Sequence, residues 1–142
     1  MVKRALNERS KESLRQEIMA AAREMFVTEG FERVSNDLPG FMAASLVDIE
    51  SGMTLGLKSV RPDFDLAAAS AYNSEMVKQK LKIMRALNLK TTLEDMLLTL
   101  GDQIHIIKLI GPTTFIYMAV DRSQCNLAIA RTVLQKNVAS FT

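Results

Sequence analysis

The chain has 142 residues, of which 48% are hydrophobic and 24% are charged, and its formal net charge is only +2. This length fits one globular domain with one core, and the composition excludes an intrinsically disordered protein. Residues 1–35 and 36–142 are each close to neutral, which argues against nucleic-acid binding. Cys125 is the single cysteine, so an internal disulfide is excluded and a cysteine-based metal site is not expected.

The sequence carries no recognisable export signal or membrane span. Residues 1–15 are charged throughout and lack the apolar core of a signal peptide. No window approaches the roughly 18 uninterrupted apolar residues that indicate a transmembrane helix. We therefore expect a cytoplasmic protein with no membrane partner.

The first predicted element is an amphipathic helix over about residues 8–29. Ser10 can cap its start, and Gly30 is a plausible stop. One face of this helix is charged. Apolar side chains recur on the other face at helical spacing, namely Leu14, Ile18, Ala21, Ala22, Met25 and Phe26.

A β-hairpin is predicted next. The Pro and Gly of residues 36–40 are typical of a turn, and two runs of strand length follow at 41–49 and 53–60. A short turn that contains Gly52 joins the two runs, as in a hairpin. Gly56, inside the second run, predicts a bulge or a close backbone approach.

A central helix is predicted from Asp63 to about Leu87. Asp63 stands where a helix cap belongs, and Asp65 adds negative charge to the first turn. Basic residues gather towards the end of the segment, which suits the helix dipole.

Three strands and a last helix complete the chain. The strand-like runs are 93–100, 103–110 and 113–120, and connections this short force an antiparallel meander. The last helix is predicted over about 122–138, and Phe141 is expected to pack at its end. The element order predicts a single α+β domain over residues 1–142, with one five-stranded antiparallel sheet between helices.

This order, with these turns, resembles the roadblock/LC7 family, a branch of the profilin-like α/β/α folds. The segments that carry the resemblance are DLPGFMAASLVDIESGMTLG (37–56), DLAAASAYNSEM (65–76) and LLTLGDQIHIIKLIGPTTFIYMAVDRSQCNLAIARTVLQ (97–135). The resemblance implies a homodimer in which third strands pair across a two-fold axis and central helices lie together. It also implies a binding or scaffold role, often with a small Ras-like GTPase.

The central helix itself indicates a second contact. Tyr72 and Met76 are four residues apart and share a face, and another apolar strip runs through Ala69, Val77 and Ile83. One strip can cover the sheet, and a second copy of the chain is the natural partner for the other. Together with the resemblance, this predicts a dimer interface that contains Ala69, Tyr72, Met76, Met96 and Leu98.

A second, local resemblance concerns the first helix. Residues 17–35 are similar to the opening helix of TetR-type repressors, in which a helix-turn-helix should follow. Residues 36–40 and a strand follow here instead, so a recognition helix has no sequence to occupy. We interpret this likeness as a coincidence of amphipathic helices.

Candidate catalytic groups have simpler structural interpretations. His105 is the only histidine and lies in an apolar strand, while Cys125 lies on a helix without a local catalytic signature. Their pairing is therefore not expected. Four carboxylates occupy a hairpin turn and a helix start, where turn and cap roles suffice: Asp48, Glu50, Asp63 and Asp65.

Phosphate-binding features are equally weak. The sequence contains neither a P-loop nor a G-x-G-x-x-G motif. A basic run, formed by Lys78, Lys80, Lys82, Arg85 and Lys90, is interpreted as a solvated helix end. We therefore expect no enzyme activity, no cofactor and no metal.

Two functional hypotheses remain. The first is a homodimeric binding protein that partners a small GTPase or a related signalling protein, which predicts a flat or grooved dimer surface. The alternative is a profilin-like sensory module, which predicts a cavity of a few hundred Å³ inside one protomer, lined by the sheet.

Overall fold

The computed structural model describes residues 2–141, with side chains from residue 7 onwards. Its main elements follow the predicted order helix, two strands, helix, three strands, helix. The bounds are α1 Val2–Asp37, β1 Phe41–Asp48, β2 Thr54–Ser59, α2 Leu66–Ala86, β3 Asp95–Thr99, β4 Gln103–Ile110, β5 Thr114–Asp121 and α3 Leu127–Lys136, with a short 3₁₀ turn at Val138–Phe141.

The five strands form one antiparallel sheet with the order β2-β1-β5-β4-β3. The central strand β5 and its neighbour β1 are buried along almost their whole length. Apolar side chains from α1 and α3 cover one face, and side chains from α2 contribute to the other. The predicted fold class is therefore confirmed.

The first helix is longer than predicted. α1 runs from Val2 to Asp37, so it passes through Ser10, which caps nothing, and through Gly30, which does not stop it. A Cβ at Gly30 would lie 2.8 Å from the Phe141 ring, so glycine allows close packing at this point. Close packing of this part of the helix outweighs the modest helix-breaking tendency of a single glycine.

The buried side of α1 was also not the one that the apolar spacing marked. Val27, Phe31 and Val34 are buried against the sheet. The apolar face predicted from Leu14 to Phe26 is exposed to solvent instead. The part of α1 that packs is thus its last third, across β2 and the edge of β1.

The hairpin follows the prediction closely. Gly52 has a φ of +75°, as its turn requires, and the register of β1 and β2 shifts between Leu46 and Val47. A Cβ at Gly56 would lie 2.5 Å from Cγ1 of Val27. The glycine therefore marks both the irregular register and the close approach of α1.

The cap of α2 lies two residues later than predicted. The Asp65 carboxylate accepts a hydrogen bond from the Ala68 amide at 3.0 Å, so Asp65 is the N-cap. Asp63 instead faces Arg61 at 3.7 Å in solvent. The first helical turn therefore begins at Leu66, which is buried.

The remaining differences are at element ends. β3 begins at Asp95 rather than at residue 93, and α3 begins at Leu127 because Asn126 caps it through the Ile129 amide. Phe141 packs against Phe31 with ring centroids 4.6 Å apart, as expected of an end residue.

Candidate functional site

Two serines fix α2 on the sheet. The Ser70 hydroxyl lies 2.8 Å from the Ser45 hydroxyl of β1, and Ser74 donates a hydrogen bond to the Ile49 carbonyl at 2.6 Å. All three side chains are buried and paired, so these contacts are satisfied in the apolar layer. They hold α2 over β1, and sequence patterns gave no sign of them because serine is usually a surface residue.

The rotation of α2 decides which of its faces remains open. Lys78 donates to the Glu50 carbonyl of the hairpin turn on one side, and Asn73 faces the Tyr117 hydroxyl of β5 on the other. At about 100° per residue, the side chains that follow Asn73 around the helix are turned towards β4 and β3. They are Ala69, Tyr72, Met76 and Ile83.

These side chains form a second apolar strip on α2. Tyr72 is 78% exposed and Ile83 is 39% exposed, whereas Ala69 and Met76 are half-buried against the core. The sequence placed Val77 on one strip with Ala69 and Ile83, but Val77 is fully buried on the sheet side. The helix has two apolar sides, but the predicted division of residues between them was wrong, because Ala69 and Ile83 lie with Tyr72 and Met76 and not with Val77.

The edge strand β3 lies beside this strip. Among the strands of the described chain it pairs with β4 alone, so its other edge has no strand partner there. Met96 and Leu98 point to the same layer as α2 and are half-buried. We call the strip Ala69, Tyr72, Met76 and Ile83, together with Met96 and Leu98, the α2–β3 surface.

His105 and Tyr117 form the polar floor of this layer. The Tyr117 hydroxyl lies 3.3 Å from Nδ1 of His105, and Nε2 of His105 lies 2.7 Å from the Gln103 side chain. Burial raises the pKa of Tyr117 to about 12, against the opposing effect of the Asn73 hydrogen bond. Burial also lowers the pKa of His105, although Asp102 opposes that shift.

The sheet separates the two nucleophile and base candidates. Cys125 belongs to the core layer under α1 and α3, whereas His105 faces Tyr117 in the layer of α2. Burial raises the pKa of the Cys125 thiol, which makes a reactive thiolate unfavourable. The two side chains are therefore not a catalytic pair.

The carboxylates take the turn and cap positions. Asp48 accepts hydrogen bonds from the Ser51 amide and hydroxyl, and these bonds lower its pKa. Asp65 caps α2 and Asp63 faces Arg61, so Asp48, Asp63 and Asp65 each have a separate contact. Within residues 7–141, no three His, Cys, Asp or Glu side chains come together as a metal site.

Clefts on the molecule are open grooves. One of about 740 Å³ lies beside the last turns of α2, where Arg85, Lys108 and Thr91 are among its lining residues. Residues of both α2 and β4 line it, but it is open to solvent, whereas a sensory module is expected to enclose a cavity inside one protomer. No helix of the described chain is long and apolar enough to cross a membrane.

Comparison with solved structures identifies the fold. The chain is similar to the gliding protein MglB from Thermus thermophilus, with a TM-score of 0.73, 12% identity, and coverage of 84% of this chain and 88% of that one. The chain is also similar to an MglB structure with a tetrameric arrangement. The TM-score is 0.74 at 12% identity, with 84% of this chain and 88% of that one covered.

A roadblock/LC7 domain from Streptomyces avermitilis gives a TM-score of 0.65 at 14% identity, with 75% of this chain and 87% of that one covered. No protein-family model matches the sequence. No curated protein matches it either. The chain therefore has the roadblock/LC7 fold, which confirms the fold that the resemblance implied.

Proposed function

We propose that this chain is a non-catalytic homodimer that binds a small Ras-like GTPase or a related signalling protein. The observation that carries the proposal is the α2–β3 surface. An apolar helix strip lies there beside a strand whose outer edge is unpaired. Such an edge is a template for another strand, and a matching strand is available in a second copy.

A two-fold pairing of β3 with the partner's β3 accounts for the pattern of exposure. It would continue the sheet from one protomer into the next and bring the two α2 helices side by side. Tyr72 and Met76 would then lose the solvent contact that they have in one protomer. Ala69, with its small side chain, allows the helices to approach closely.

The nature of the partner rests on the fold. Roadblock/LC7 proteins, which the sequence resembles, often bind small Ras-like GTPases, and MglB, a gliding protein with this fold, has been solved in a tetrameric arrangement. Self-association supports a platform function. A binding role also agrees with the separation of His105 from Cys125 by the sheet.

The interface is tested by Tyr72→Glu. The side chain is exposed in one protomer, so the variant should fold, but a carboxylate buried at a two-fold axis is unfavourable in both copies. We expect the mass measured by light scattering to fall at least twofold. Lys82→Glu, an exposed position on the hairpin side of α2, is the control and should keep the parent mass. A Tyr72→Glu variant with parent mass would exclude this interface.

The partner class is tested by binding. Titration calorimetry would compare the chain with small Ras-like GTPases loaded with GDP or with a non-hydrolysable GTP analogue. We expect binding that depends on the nucleotide state and that Tyr72→Glu weakens. An intact dimer that binds neither loaded form, including that of a GTPase encoded beside this chain, would contradict the GTPase role while leaving the dimer standing.

A further inference from the structure

The outward side of α1 is an apolar stripe that nothing in the described chain covers. We call Leu14, Ile18, Ala21, Ala22, Met25 and Phe26 the α1 stripe. Leu14 and Ile18 are 56% and 59% exposed, and Met25 and Phe26 are each 64% exposed. Four large apolar side chains on one helix face are too many for an ordinary solvated surface.

The stripe faces away from the protein's own sheet. At about 100° per residue, it is centred on the side of α1 opposite to Val27, Phe31 and Val34, which are buried on the sheet. One sheet cannot cover two opposite sides of a helix. The stripe therefore needs a different partner.

The spacing of the stripe suits another helix. Leu14, Ile18, Ala21 and Met25 are separated by four, three and four residues, which is the spacing of a coiled-coil seam. The alanines in the middle allow two helix backbones to approach closely. The pattern thus indicates helix-on-helix packing.

The charges along α1 indicate which helix. Residues 1–15 contain five Lys or Arg and two Asp or Glu. Residues 16–37 contain two Lys or Arg and five Asp or Glu. The first part is therefore positive by three charges and the second negative by three. A parallel copy would set like charges together, whereas an antiparallel copy sets each half against its opposite.

We infer that the α1 stripe is the seam of an antiparallel helix pair formed with α1 of a second copy of this chain. The stripe runs from residue 14 to residue 26, so its midpoint is at residue 20. Pairing about that midpoint places Leu14 opposite the partner's Phe26 and Ile18 opposite the partner's Ala22.

The same register pairs the charges at the two ends of the stripe. It places Lys11 opposite the partner's Glu29, and the two-fold axis repeats this contact. Both side chains are exposed, and neither has an ion-pair partner within the described side chains. Glu32, by contrast, is already held by Lys58 at 2.7 Å.

The seam is sterically free and separate from the α2–β3 surface. Each sheet lies on the side of its own α1 that faces away from the seam, and it packs on the last third of that helix. In an antiparallel pair, the two domains would therefore lie at opposite ends of the helix pair. α1 packs on β2, at the sheet edge opposite to β3. The seam can therefore form whether or not the proposed β3 dimer does.

A membrane surface fits the helix less well. Amphipathic helices that lie on anionic lipid carry lysine and arginine along their polar face. Here the second half of the helix is acidic, and Glu17 and Glu24 lie beside the stripe. A second copy satisfies both the apolar and the charged pattern.

Ile18→Glu tests the seam, with Gln16→Glu as the matched control on the other side of α1. Both positions are exposed, so neither change should affect folding. We expect light scattering to show an at least twofold lower mass for Ile18→Glu and the parent mass for Gln16→Glu. Equal masses for the parent and Ile18→Glu would overturn the seam, as would stripe-dependent binding to anionic lipid vesicles without self-association.

The double variant separates this inference from the proposed function. If both surfaces associate, Ile18→Glu and Tyr72→Glu each lower the mass, and together they give the 15.8 kDa protomer. If only one surface associates, only its own variant lowers the mass. Failure of either surface is thus distinguishable from failure of the other.

Disulfide trapping tests the antiparallel register in a Cys125→Ala background. Chains with Ile18→Cys and chains with Ala22→Cys are mixed and oxidised, and we expect the mixed disulfide to form faster than either symmetric one. Gln16→Cys mixed with Ala22→Cys should cross-link slowly. Symmetric disulfides without the mixed product would overturn the antiparallel pairing.

Discussion

Gly56 sets how closely α1 approaches the sheet. A Cβ at this position would lie 2.5 Å from Cγ1 and 2.9 Å from Cβ of Val27, a buried helix residue. A rotamer change can move Cγ1, but only a shift of the helix can move Cβ. The absence of a side chain at residue 56 is therefore a condition for the packing of α1.

Gly56→Ala is expected to destabilise the protein by about 1–3 kcal/mol, because overpacking forces the backbone of α1 to move. The measurement is urea unfolding. Gly101→Ala is the control, since its added Cβ would have no described atom within 4 Å apart from those of its own residue and its two chain neighbours. The double variant Val27→Ala/Gly56→Ala should lose less unfolding free energy than the sum of the losses of the two single variants. Additive losses would show that the two residues are not in conflict.

His105 is expected to make stability depend on pH below about 6.5. Burial lowers its pKa, so the folded state holds the neutral imidazole. As the pH falls through the unfolded value of about 6.5, the unfolded chain takes up the proton first and stability decreases until the folded pKa is reached.

The measurement is the urea midpoint between pH 7.5 and 5 for the parent and His105→Gln. The parent midpoint should fall over this window, and the variant should show a flatter profile. Asp48 and Asp121 have lowered pKa values and stay ionised there, so the window reports on the only histidine. Parallel profiles for the two proteins would contradict this role.

Among the elements, α2 has a start that depends on one carboxylate. Asp65 accepts the Ala68 amide hydrogen bond, whereas Asp63 makes only a solvent-exposed contact with Arg61. Asp65→Ala should therefore cost about 0.5–2 kcal/mol of unfolding free energy. Asp63→Ala should cost almost nothing, because exposed ion pairs contribute little. If chemical denaturation showed a larger loss of unfolding free energy for Asp63→Ala than for Asp65→Ala, Asp63 would be the cap.

Element types were predictable because each segment carries a local signal. Period-two and period-3.6 patterns, with Gly and Pro between them, predicted all five strands and three helices in order. β4 was predicted at its observed bounds, since Gly101 and Gly111 enclose it. The spacing of Tyr72 and Met76 likewise predicted that these two side chains share a face of α2.

What the sequence did not predict depends on contacts between distant segments. Whether Gly30 stops α1 depends on Phe141, more than a hundred residues later. The position of Val77 on the sheet side depends on how Ser70 and Ser74 hold α2. The exposure of the α1 stripe could not be predicted either, because an amphipathic pattern does not say which neighbour covers it.

For the whole molecule, the two open surfaces lie at opposite edges of one sheet. The α2–β3 surface is beside β3, and the α1 stripe belongs to the helix that packs on β2. Two separate self-complementary contacts on one chain give either a closed tetramer or an open chain of dimers, depending on how their axes meet. Association of this kind couples the stability of the fold to protein concentration.

We therefore expect the melting temperature to rise with concentration. Because unfolding releases separate chains, a hundredfold increase in protein favours the folded assembly by roughly 1 kcal/mol or more per protomer. For a domain of this size, that corresponds to about 3–6 °C. The measurement is differential scanning fluorimetry or calorimetry from about 1 to 100 μM. The matched control is the Ile18→Glu/Tyr72→Glu double variant, in which both exposed surfaces carry a carboxylate. Its melting temperature should not change with concentration, whereas each single variant should keep part of the dependence through the surface that it retains. A parent protein whose melting temperature is constant over this range would show that neither surface associates at these concentrations.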